Sequence, residues 1–313
     1  MRKRHPYCSI EFCLLPAMVK FSHRIFQLAF LFVPLVCLTD CHKSNLPANE
    51  LPFEAVPLSK HITPGIIDEA SGIADSKANP GYLWVEEDSG NPNDIFLLSD
   101  SGQVFKKINI RSSINRDWED IALAKGPVAG INYLYLADIG DNNESAYQYT
   151  IYRFPEPLAS VDTVVAYDSV KFKYPDGSHD AEALLIDDAG NIYVITKRST
   201  VSTIYKISYP QSLTALNTAI KVGELPFSGV VSAAMSPTGD ELLVKTYTSI
   251  YYWKKAANET IEQALQKNSI SLDYQQEPQG EAICFKNNDA GFYTLSERPS
   301  IISSVNLYYY KRK

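Results

Sequence analysis

Asp180-Ala-Glu182-Ala-Leu-Leu185 has four counterparts along this chain. They are Glu69-Ala-Ser71-Gly-Ile-Ala74, Asp117-Trp-Glu119-Asp-Ile-Ala122, Val230-Val-Ser232-Ala-Ala-Met235 and Gln279-Gly-Glu281-Ala-Ile-Cys284. In chain order their first residues lie 48, 63, 50 and 49 positions apart. Each is followed by a turn rich in Gly, Pro, Asn or Asp, such as 187–191 or 236–240, and then by a strand-like run. Those runs are Tyr82–Glu86, Tyr133–Ala137, Ile192–Thr196, Glu241–Lys245 and Gly291–Leu295. More strand-like runs follow, among them 94–98 with 103–110 and 203–208 with 220–225.

A repeat of about 50 residues with four short strands is the size of a propeller blade, and blades must stack in a ring to bury both faces. The expectation is an all-β fold, a β-propeller of five four-stranded blades. The last repeat has room for only about three strands, so the strand-like stretch Phe53–Ile62 is expected to supply its outer strand and close the ring. A six-bladed ring, with a divergent blade inside the long second repeat, and a sandwich both stay open.

Composition fits one large domain over 53–313. The chain is 45% hydrophobic and 21% charged, and its 20 Tyr and 13 Phe favour strands. Net charge is −7, and the +3 held by residues 1–40 leaves about −10 on the remainder. An acidic body repels phosphate backbones, so nucleic-acid binding is set aside and a monomer is expected.

Residues 1–40 read as a bacterial lipoprotein signal. Lys20, His23 and Arg24 precede the apolar run Ile25–Leu38, which ends at Leu38-Thr-Asp-Cys41. Met18 opens a signal of ordinary length and is a candidate true start. Cys41 is the expected lipidation site and 41–52 the expected tether, which would place the protein outside the cytoplasm, anchored to a cell-envelope membrane. An uncleaved membrane anchor is the competing reading. After processing only Cys41 and Cys284 would remain, so no internal disulfide is expected.

The repeat heads Glu69-Ala-Ser-Gly-Ile, Asp117-Trp-Glu-Asp-Ile and Asp180-Ala-Glu-Ala-Leu resemble those of the SdiA-regulated proteins, and more broadly exported propellers that include phytase-like esterase domains. The resemblance covers most of residues 65–300. It implies a propeller with a calcium site and lends no defined reaction.

In a propeller the first strand of each blade lines the channel, so residues at one position of each repeat converge on the axis. Glu69, Asp117, Glu119, Asp180, Glu182 and Glu281 are therefore the expected metal ligands. Crowded carboxylates raise one another's pKa unless a cation neutralises them, and calcium accepts irregular sets of oxygen donors. Lys197, Arg198, Arg298, Glu87 and Asp138, at or beside the ends of second strands, are the expected ligand-binding residues. The competing reading is structural: Glu119, Glu182 and Glu281 accept backbone N–H bonds from the next blade and pin the ring. No serine-nucleophile motif, phosphate-cradling Gly loop or zinc-spaced His/Cys cluster is present. The functional expectation is binding of a small molecule or protein at an acidic, calcium-bearing funnel. Calcium-assisted hydrolysis of a phosphate ester or lactone is the alternative.

Overall fold

Each repeat head becomes the innermost strand of a sheet: Ala70–Asp75, Trp118–Lys125, Ala181–Ile186, Val230–Met235 and Gln279–Phe285, in blades I to V. The computed structural model describes residues 51–313 other than Ser199 and Ser303. The expected signal segment, Cys41 and most of the 41–52 tether lie outside the described residues. Second strands run over Tyr82–Glu87, Asn132–Asp138, Ile192–Thr196, Glu241–Thr246 and Gly291–Glu297, each antiparallel to the first. The innermost strands touch in chain order and the fifth touches the first, closing a ring of five blades.

Closure follows the expected route. Leu58–His61 is the outermost strand of blade V, pairing antiparallel with Asn306–Lys311, and Phe53 bridges to Arg312. Phe53 is buried, edge-on to Phe292 at 4.8 Å.

The long second repeat does not hide a sixth blade. Between Tyr149–Pro155 and Asp168–Lys173 the chain leaves blade II, and Thr163–Val164 pairs in parallel with Asn109 and Ile110 at the edge of blade I. Asn217–Thr218 likewise covers the edge of blade II. Both straps cap rows of N–H and C=O groups that would otherwise invite another strand. The same excursion carries Glu156, whose carboxylate accepts bonds from Ser76 Oγ (2.6 Å), the Lys77 and Ala78 N–H groups (3.0 Å each) and Trp84 Nε1 (3.0 Å).

The hydrophobic core is five layers, each between neighbouring blades. Trp84 and Ile95 of blade I meet Ile121 and Leu134 of blade II, and Ala282 and Leu295 of blade V meet Ile73 and Val85 of blade I. At about 25 cal/mol per Å² of apolar surface removed from water, these layers supply most of the drive that holds the ring shut.

One irregularity recurs. In every blade the pairing of first and second strands slips by one residue, between Ala70/Gly72, Trp118/Asp120, Ala181/Ala183, Val230/Ser232 and Gly280/Ala282. The bulged residues are therefore Ser71, Glu119, Glu182, Val231 and Glu281. This corrects the alignment of the fourth repeat by one. Val231, not Ser232, matches the glutamates, and a one-residue slip turns side chains to the other face.

Candidate functional site

The bulges lie at one end of the channel. There the bulged glutamates and the residues just past the second strands enclose a cavity of about 380 Å³. Glu69, Asp88, Glu119, Glu182, Glu281 and Glu297 line it, with Lys197, Tyr247 and Gln279. Blade IV, which has Val231 at the bulge, contributes Tyr247 instead of a carboxylate.

The carboxylates of blades I to III are the most crowded. One oxygen each of Glu119, Asp180 and Glu182 lie within 4.8 Å of one another, and the same holds for Asp88, Asp117 and Glu119. Glu119 belongs to both trios. Burial, then the neighbouring carboxylates, pushes Glu119 well above the ordinary range. Burial also raises Asp88 to about 6, and burial together with Glu281 raises Glu297 to about 9.

Two cations offset part of this charge. Arg198 donates to Asp180 Oδ2 (2.7 Å) and to Asn142, while Asp180 Oδ1 accepts the Asp141 N–H (2.8 Å). Lys197 donates to Glu182 Oε1 and to the Tyr247 hydroxyl (3.0 Å), which donates to Glu281 Oε1 (2.5 Å). Burial works against the Lys197 ammonium, but Glu182 and Tyr247 outweigh it and hold its pKa above the usual lysine range. Burial pushes the Glu182 carboxyl well above the ordinary range, against the downward pull of Lys197. Glu182 Oε2 is buried and has no hydrogen-bond partner among the described residues.

The expected site residues divide. Glu119, Asp180, Glu182 and Asp117 converge, and Glu69 and Glu281 line the same cavity, Glu69 accepting from Asn91 Nδ2 (2.5 Å). Lys197 and Arg198 stand beside them. Three expected ligand-binding residues are committed elsewhere. Glu87 accepts the backbone N–H groups of Asp68 (2.8 Å) and Glu69 (3.3 Å). Asp138 accepts the Asp117 N–H (2.9 Å) and faces Arg116 (3.7 Å). Arg298 forks onto both oxygens of Asp68 (2.7 and 2.5 Å). The reason is periodicity. Glu87 and Asp138 are still ladder partners, of Ala70 and Trp118, whereas Asp88, Lys197 and Tyr247 come just past the ladder and line the cavity; in blade V the ladder runs one pair further, and Glu297, its last residue, lines the cavity while paired with Gln279.

Sequence reading also passed over Asp120. Its carboxylate, almost fully buried, accepts N–H bonds from Ile121 (3.0 Å), from Leu184 of blade III (2.9 Å) and from Ala233 of blade IV, with Ser232 Oγ at 3.3 Å. It ties three blades together on the axis. The ring-pinning role considered for Glu119 thus falls to its neighbour. The available signal was a second acid directly after Glu119 in a strand that is otherwise apolar.

Fold and site together define a five-bladed β-propeller with an acidic axial funnel. No protein-family model matches the chain, and no curated protein does. Among solved structures it is similar to a luciferin-regenerating enzyme, at 10% identity over 82% of this chain and 95% of the other, with a TM-score of 0.48. It is also similar to a streptogramin B lyase, at 10% identity over 82% and 98%, TM-score 0.42. A virginiamycin B lyase from Staphylococcus aureus shares 14% identity over 80% and 69%, TM-score 0.40. The fold assignment rests on the strand pairing, not on these likenesses.

Proposed function

We propose that the funnel is a hard-cation centre of the calcium type, held by Glu119, Asp180 and Glu182, and that the protein binds its ligand there. The observation that carries this reading is the orphaned Glu182 Oε2, a buried carboxylate oxygen with no donor, inside a trio of carboxylates. A buried acceptor without a partner costs roughly 1–3 kcal/mol, which a cation bonded to it would recover. The donors are all oxygens, which suits calcium and not zinc. Gly140 is part of the fit. A Cβ there would lie 2.6 Å from Asp117 Cγ and closer still to Glu119 Oε1, so the side chain is absent where the carboxylates need the space.

The test is calorimetry and thermal melting of the purified chain, stripped of metal, with added calcium, magnesium and manganese. Binding heat with calcium and a melting temperature that climbs with its concentration are expected. No heat and no shift with any of the three would leave the funnel without a metal role.

Hydrolysis is the second reading, and Asp88 favours it. Its carboxyl lines the cavity, lies outside the proposed ligand trio, and is raised to about 6, where it can accept a proton near neutrality. Turnover of a phosphoester and lactone panel only when calcium is present would select this reading over binding alone.

Location is part of the proposal: a lipoprotein anchored through Cys41 in the bacterial envelope, akin to the SdiA-regulated proteins in its repeat heads. Cys41→Ser should abolish labelling with palmitate and release the protein from membranes.

A further inference from the structure

Lys197 is the one ammonium that lines the funnel among the described residues, and it sits on the carboxylate that also carries the orphaned oxygen. A divalent ion held by Glu182 would share that carboxylate with the Lys197 ammonium. Two cations a few ångströms apart in a buried site repel strongly, so ion and ammonium compete for one carboxylate, and exchange is favoured over simple addition.

The geometry provides somewhere for the ammonium to move. Lys197 already donates to the Tyr247 hydroxyl, and that hydroxyl donates to Glu281 Oε1, one hydrogen bond further round the mouth. Glu297, beside Glu281, lines the cavity as well. A lysine stem is flexible and its charge is compact, so a short swing would exchange Glu182 for the carboxyls of blade V without taking the ammonium out of the cavity. Arg198 has no such path. It is half exposed and fastened to Asp180 and Asn142 at the cavity edge.

We infer that Lys197 is a built-in substitute cation, which occupies Glu182 when the funnel is metal-free and is displaced toward Tyr247 and Glu281 when a divalent ion binds. This rests on the hard-cation reading above and adds its regulation. Lys197 sets the affinity of the centre and disfavours monovalent ions, which cannot replace an ammonium at any gain in charge.

The experiment compares wild type and Lys197→Met by calorimetry with calcium chloride. Removing a unit charge a few ångströms from the ion should tighten calcium binding about tenfold or more. In parallel, the wild type is pulsed with acetic anhydride with and without calcium, and acetylation of Lys197 is read by mass spectrometry. The released amine should label faster with calcium, by several-fold. Calcium heat in wild type with equal or weaker binding by Lys197→Met overturns the exchange while leaving the metal reading intact. So does labelling that calcium leaves unchanged. Absence of heat in both proteins overturns both proposals. If Lys197→Met fails to fold in chelator but folds in calcium, the exchange is supported. If it folds in neither, the labelling of wild type decides.

Discussion

Glu119 and Asp120 are consecutive residues on one strand, both buried carboxylates, and they have opposite surroundings. Asp120 sits in the plug of the channel and is bonded by donors from three blades. Glu119 sits one residue nearer the mouth, on the bulge, where its carboxylate meets the Ser71 hydroxyl at 3.4 Å and otherwise faces other carboxylates. Glu182, at the same bulge in the next blade, leaves one oxygen without a partner among the described residues. A carboxylate that serves the fold is surrounded by donors, as Glu156 also is. One that is buried among other carboxylates without donors is a burden on the fold, and the burden has a reason only if something else binds there.

The sharpest way to break this contrast is to remove both carboxylates in turn. Asp120→Ala strips the acceptor from N–H groups in three blades and should cost roughly 3–5 kcal/mol, seen as a lower denaturation midpoint. Glu119→Gln, one residue away, should leave metal-free stability unchanged or raise it by up to about 1 kcal/mol, since it replaces a buried carboxyl crowded by other carboxyls with a neutral group of the same shape. Equal losses from the two substitutions would erase the distinction between plug and mouth.

Calcium sharpens it next. Glu182→Gln keeps shape and removes one charge from the trio, so the calcium-dependent rise in melting temperature should shrink to near nothing. At a calcium concentration about 100 times the dissociation constant, the wild type should gain about 2.7 kcal/mol. Asp120→Asn, if it folds, should retain the response. A calcium response that survives Glu182→Gln in full would place the ion elsewhere.

Gly140→Ala probes the room at the mouth. The added methyl meets Asp117 and Glu119 and should cost about 1–3 kcal/mol through overpacking, and should weaken calcium binding more than it lowers stability in chelator. Loss of stability alone, with calcium affinity intact, would show that the gap serves packing only.

Much of this was readable in advance. The blade heads, the second strands and the closing role of the N-terminal strand follow from alternating apolar runs bounded by turn residues, and those signals are local. The convergence of Glu119, Asp180 and Glu182 follows from rotational repetition. What could not be read was anything that turned on a single-residue slip. The bulge decides whether Val231 or Ser232 faces the funnel, and it separates Glu119 from Asp120. The ladder's end decides that Asp88 lines the cavity while Glu87 accepts backbone bonds. The strap from the second repeat onto blade I was equally hidden, because Thr163–Val164 pairs in parallel with a partner more than fifty residues earlier and carries no local signature.

The smallest effect concerns protons, and it separates two mouth carboxyls from each other. Burial and the neighbouring Glu281 raise Glu297 from 4.5 to about 9, and burial raises Asp88 from 3.8 to about 6. In the unfolded chain both ionise near their ordinary values, so between the unfolded and folded pKa the native state holds the extra proton. Each therefore contributes stability that is full below the unfolded pKa and is lost as pH rises through the folded one. For Asp88 the loss is complete by about pH 6, and for Glu297 it continues to about pH 9. Metal-free protein should accordingly become less stable as pH climbs from 5 to 9. Glu297→Gln should flatten the upper part of that decline, and Asp88→Asn only the part below about pH 6. Both carboxyls lie partly open to water, and screening should hold the Glu297 effect to about 1 kcal/mol. Melting curves in chelator at half-unit pH steps resolve it. If Glu297→Gln leaves the slope between pH 7 and 9 unchanged, Glu297 is ionised like an ordinary surface glutamate, and the mouth is better solvated than its crowding suggests.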